Sequence, residues 1–171
     1  MEDVNVRRTA VDHAARILAG STHALEDGDL VRDFTFPMKE HGELPPAFAA
    51  DASHSSIHVS IRDASLPPSD AHSAQGAVEA AAAVGVQTYA SSIIMCDLLV
   101  RCPSAWYKRL NENLPVPFRV MELGAGTGIV GMVAAHVLSC MKAQKAVVHL
   151  TDYHEDVMTN LRHNVEHRLC L

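Results

Sequence analysis

The chain has 171 residues, the length of one domain and enough to bury a core. Apolar residues make up 48% and charged residues 20%, the balance of an ordinary globular protein. The net charge is −6, and without a basic stripe no binding to nucleic acid is expected.

Residues 1–3 (MED) are not a basic segment leading into an apolar one, so no secretory signal is expected. In residues 4–19, Val4, Val11, Ala15 and Leu18 are spaced by charges, which predicts an amphipathic helix ended by Gly20. Residues 21–55 contain Pro37, Pro45 and Pro46 with few periodic apolar positions and read as loop. Residues 57–62 (IHVSIR) alternate apolar and polar, the period of a half-buried strand. The alanine-rich run 71–85 fits either a short helix or an ordered loop. Residues 89–101 predict a helix, with Thr88 or Ser91 as its cap and Pro103 as its stop. Its two candidate faces are Ile94, Leu98 and Arg101, or Ile93, Asp97 and Val100. Residues 104–110 predict a short helix with Trp106 and Leu110 available for packing.

Residues 118–123 (FRVMEL) read as a strand, 124–128 as a glycine turn, and 129–138 as a helix apolar almost all round and therefore buried. Residues 146–151 form a second core strand. A helix is expected from Asp152 onward, with Val157, Met158, Leu161 and Val165 on one face. The two most apolar stretches, 92–100 and 129–141, are broken by Asp97 and His136. Both fall short of the roughly 18 residues of a membrane span, so no membrane partner is expected. Cys96, Cys102, Cys140 and Cys170 make no Cys-x-x-Cys pair, which suggests reduced thiols in a cytoplasmic or nuclear protein. Strands alternating with helices argue for a parallel α/β sheet. Two such strands leave apolar edges uncovered, and the chain is expected to be marginally stable, aggregation-prone or dependent on a partner.

The glycine turn narrows the chemistry. A bare turn after a parallel strand brings backbone amides up to a ligand, and the following helix aims its positive end at the same place. A nucleoside triphosphate loop needs Lys-Ser/Thr after its last glycine, and Ile129-Val130 stands there. A dinucleotide loop needs a small residue where Ile129 stands; Gly131 can serve close packing but lies two residues late. The remaining form, Glu-x-Gly-x-Gly-x-Gly, suits the carboxypropyl group of S-adenosylmethionine.

Residues 120–135 (VMELGAGTGIVGMVAA) resemble the first motif of the lysine methyltransferase-like family of seven-strand enzymes, which also holds nicotinamide N-methyltransferase-like proteins. HLTDY at 149–153 and NLRHNV at 160–165 resemble the family's second strand and the helix after it. VQTYASSII at 86–94 resembles a segment in which the family usually carries Trp before small and aliphatic residues. The resemblance implies an α/β protein with a partial Rossmann-like class I methyltransferase fold, its parallel sheet incomplete. Residues 56–171 would hold the front of that domain, and residues 1–55 a helical and β extension.

By position, the resemblance implies that Gly124, Ala125 and Gly126 contact S-adenosyl-L-methionine through their backbone. Asp152 would accept hydrogen bonds from both ribose hydroxyls. Tyr89 would replace the family's Trp beside the cofactor, keeping an aromatic face but changing its polar tip. Glu122 would anchor the loop or the methionine amino group. The acceptor would be a protein lysine or a small nitrogen compound, or the chain would be a non-catalytic remnant. Catalytic residues would lie beyond Leu171.

Plainer readings stand beside these. Asp152 can cap its helix in a box with Glu155, and Tyr89 can be a core aromatic. HNVEH at 163–167 matches a reversed zinc-protease motif, but the family's second helix explains the same stretch and no metal is expected.

Overall fold

Two sheets of opposite kind lie on either side of a helix pair. The computed structural model of the protein describes residues 21–24, 28–38, 56–65, 83–102, 106, 117–141 and 146–168. β1 (Ser21–Ala24), β2 (Leu30–Pro37) and β3 (Ser56–Asp63) form an antiparallel sheet in that order.

Residues 57–62 form a strand as read, but two further strands stand where residues 21–55 read as loop. The reason is not local. β2 pairs with β3 along its whole length, from Leu30 opposite Asp63 to Pro37 opposite Ser56. Such cross-strand neighbours stabilise a strand whose own pattern is weak. The pattern is weak because Val31 is buried as well as Phe34 and Phe36. Val31 lies on the opposite pleat face from the two phenylalanines, which blurs the alternation. Pro37 closes the strand, where its missing donor is tolerated.

A 3-10 turn (Ala83–Val86) leads into α1 (Ala90–Arg101). α1 buries Ile93, Cys96, Asp97, Leu99 and Val100 and leaves Ile94 and Leu98 partly exposed, so the second candidate face is the inner one. Asp97 is buried there with Arg101 as its ion-pair partner. Neither expected cap forms. Tyr89 occupies the N-cap position without a side-chain bond, and the Thr88 hydroxyl donates to Asp63 Oδ1 at 2.6 Å instead.

β4 (Arg119–Leu123), α2 (Ile129–Cys140), β5 (Val147–Thr151) and α3 (Glu155–Arg168) follow the predicted order. β4 and β5 pair in parallel with Leu123 opposite Thr151. α3 starts three residues later than the sequence suggests, so Asp152 lies outside the helix. The core joins Phe34, Phe36, Ile57, Val59 and Ile61 of the antiparallel sheet to the inner faces of α1 and α2. Val120 and Val148 of the parallel sheet pack against that core. The other face of the parallel sheet is bare, with Met121 64% and Leu123 78% exposed.

The helix expected over 4–19 lies outside the described residues. So does the stretch 104–110 except Trp106, which is half exposed. No helix among the described residues is long and apolar enough to cross a membrane.

Candidate functional site

The turn 124–128 joins the tip of β4 to the start of α2. It needs glycine because Gly124, Gly126 and Gly128 have φ of 67°, 56° and 85°, a region costly for side-chain-bearing residues. Their surroundings differ. A Cβ at Gly124 would meet nothing within 4 Å among the described residues, and one at Gly126 would sit 3.1 Å from the Gly85 carbonyl. A Cβ at Gly128 would overlap the Leu161 side chain of α3. At Gly131, one turn into α2, a Cβ would overlap Leu150 of β5. Close packing of helix on strand therefore does fall on Gly131.

The turn is tied to the tip of β5. The Ala125 amide donates to the Thr151 carbonyl at 2.9 Å, and the Gly126 amide donates to Asp152 Oδ2 at 3.0 Å. The Thr151 hydroxyl donates to the Glu122 carbonyl at 2.8 Å. Asp152 Oδ1 accepts from the Tyr153 amide at 2.7 Å and, at 3.4 Å, from that of His154. These bonds precede α3, so the capping box with Glu155 is not formed. Gly124, Ala125, Gly126 and Asp152 are brought together at one end of the parallel sheet.

Glu122 points back under the turn. Its Oε2 lies 2.6 Å from where a Cβ on Gly131 would stand, close to the open amides of the α2 start. Oε2 is buried with no hydrogen-bond partner among the described residues. Burial is the main cause that raises the Glu122 carboxyl from 4.5 to about 7, against the opposing pull of the Gly131 amide. On α1, Cys96 is also pushed well above an ordinary thiol, first by burial and then by the charge of Glu122.

Tyr89 stands at the start of α1 with its side chain half exposed. Its neighbour Thr88 reaches the turn, hydroxyl to hydroxyl, at Thr127 (3.1 Å), so the backbone at Tyr89 runs beside the site. The rings of His163 and His167 contact each other at 4.8 Å between centroids. No group of three or more His, Cys, Asp or Glu side chains among the described residues could hold a metal ion.

Sequence reasoning passed over Thr88, Thr127 and Asn164 as parts of this site. A signal was present in α3, where Asn160 and Asn164 share the face of Val157 and Leu161. Asparagine disfavours a helix interior unless its amide has work elsewhere. Asn160 donates to the carbonyls of Arg62 and Val86, and Asn164 to those of Arg62 and Thr127.

A strand, a left-handed glycine turn, a buried helix and an acid at the tip of the next parallel strand are features of class I S-adenosylmethionine-dependent methyltransferases. The lysine methyltransferase family matches residues 73–170, more than half of the chain, and the chain belongs to that family. An uncharacterised protein of Dictyostelium discoideum is 34% identical over 83 residues, covering 48% of this chain and 19% of that protein. The aligned stretch is thus about a fifth of the length of that curated relative. No solved structure matches the chain.

Proposed function

We propose that this chain carries the cofactor-binding part of an S-adenosylmethionine-dependent methyltransferase that methylates a nitrogen, with a protein lysine as acceptor. The observation that carries the reading is the meeting of an open glycine turn with a carboxylate, the Gly126 amide lying 3.0 Å from Asp152 Oδ2.

The residues fit the cofactor. Each carboxylate oxygen has two lone-pair directions, so beside the three backbone amides it already accepts Asp152 retains one direction, on Oδ2, for a ribose hydroxyl. Open space over Gly124 lets the methionine tail approach the backbone. The unpartnered Oε2 of Glu122 is an acceptor suited to an ammonium group. The half-exposed Tyr89 offers an aromatic face at the start of α1. Bound there, the cofactor supplies an electrophilic methyl group. The protein's part is to align it and exclude water. A lysine acceptor, with an ordinary pKa of about 10.4, must first lose its proton.

A second reading, binding without catalysis, is favoured by the bare face of the parallel sheet at Met121 and Leu123. A cytoplasmic or nuclear location goes with either reading. Calorimetric titration with S-adenosylhomocysteine and with NAD is the test. Binding of the first alone is expected, preference for NAD would sink the methyltransferase reading, and binding of neither would favour a remnant.

A further inference from the structure

Outside the turn itself, the buried polar side chains among the described residues are those of Asp29, Asp63, Asp97, Asn160 and Asn164, each no more than 6% exposed. Asp63 and the Arg62 backbone belong to β3, which precedes the segment matched by the family. We infer that the N-terminal antiparallel sheet is part of the cofactor site, with Asp63, Thr88 and Asn164 as positioning residues that hold Thr127 and, through it, the left-handed glycines on either side. This rests on reading the turn as the cofactor cradle.

Two routes leave consecutive residues of β3 and meet at Thr127. The first starts at Asp63. Its Oδ2 pairs with Arg32 of β2 at 3.3 Å, and its Oδ1 accepts both the amide (2.9 Å) and the hydroxyl (2.6 Å) of Thr88. A hydroxyl has one proton, and that of Thr88 is committed to the carboxylate. In the 3.1 Å contact between Thr88 and Thr127, Thr127 is therefore the donor, and its side chain has one direction to point.

The second route starts at Arg62. Its amide donates to Asn164 Oδ1 at 2.9 Å, and its carbonyl accepts from Asn164 Nδ2 at 3.1 Å. Asn164 Nδ2 also donates to the Thr127 carbonyl at 3.0 Å. Thr127 is thus held at its hydroxyl by one route and at its carbonyl by the other. Its neighbours Gly126 and Gly128 are both glycines at positive φ, and a peg between them restricts their backbones before a ligand arrives. A site ordered beforehand loses less entropy on binding.

The test compares the full chain with Thr88→Val, which keeps the shape and removes the hydroxyl, and with Thr88→Ser, which restores it. Thr127→Val breaks the same link while sparing the bonds of Asp63, so it serves even where Thr88→Val fails to fold. Hydrogen exchange without ligand is read at the amides of Ala125, Gly126 and Gly128 and, as a reference, along the β2–β3 ladder. S-adenosylhomocysteine affinity is measured on the same samples. Either Val variant should speed exchange in the turn relative to the ladder, and weaken binding, by about three- to tenfold, the worth of one such hydrogen bond. Thr88→Ser should restore both. Equal loss of protection in turn and ladder, or an unchanged turn, would overturn the inference. A turn that loosens in a chain indifferent to S-adenosylhomocysteine would uphold the clamp and defeat the cofactor reading.

Discussion

At Gly124 an added methyl group would enter open space, whereas at Gly128 it would strike Leu161. The two residues have similar positive φ and lie in one turn, yet different forces select glycine at each. Near Gly128, and again at Gly131, the backbone is packed under side chains from β5 and α3, and glycine lets helix and strand approach. Near Gly124 no described residue comes within 4 Å of an added Cβ, and the surface there is open. One end of the turn is packed into the fold and the other stands open.

Substitution can break this contrast. The largest effect should come from Gly128→Ala, where about 1–2 kcal/mol of left-handed backbone cost adds to about 1–3 kcal/mol of overpacking against Leu161. Urea unfolding should show both losses, and a loss no larger than that of Gly124→Ala would erase the difference between the two ends. Asp152→Ala should next reduce affinity for S-adenosylhomocysteine, at about 1.5–3 kcal/mol for each charged hydrogen bond removed. Unchanged affinity in calorimetry would leave the carboxylate with only its backbone partners. Gly124→Ala should cost about 1–2 kcal/mol in stability from the backbone alone, while reducing cofactor affinity more than its stability loss accounts for.

Glu122 sharpens the contrast from beneath the turn. In the folded chain its carboxyl holds a proton up to about pH 7, whereas the unfolded chain releases it near 4.5. Its contribution to stability is therefore full below about pH 4.5, declines as pH rises to about 7, and is absent above. Glu122→Gln should flatten that part of the stability–pH curve, measured by urea unfolding at several pH values. The smallest effect belongs to Leu123→Ser on the bare sheet face. Stability should change by no more than about 0.5 kcal/mol, and self-association in sedimentation should fall.

The site was legible where it depends on neighbours in the chain. The glycine run and the alternation of strand and helix follow from period and spacing over a few residues, whereas Glu122 and Asp152 were singled out by the family resemblance. The role of Gly131 was visible only as a possibility, since spacing does not say which strand side chain lies against a helix. The β2 strand was missed because its pairing with β3 links Leu30 to Asp63 while its own pattern has two phases. The cap assigned to Thr88 failed for a similar reason. A hydroxyl takes the best acceptor within reach, and a buried carboxylate from another strand outcompetes a helix start.

By itself the sequence determined a βαβ unit with a bare turn and an acid after the second strand, because left-handed backbone and strand or helix period are local properties. Tertiary structure alone decided which glycine packs and which stays open, that Glu122 Oε2 is buried, and that Asn164 joins Arg62, 102 positions away, to Thr127. Those outcomes depend on register and distance between segments far apart in the chain, and only packing brings such segments into contact.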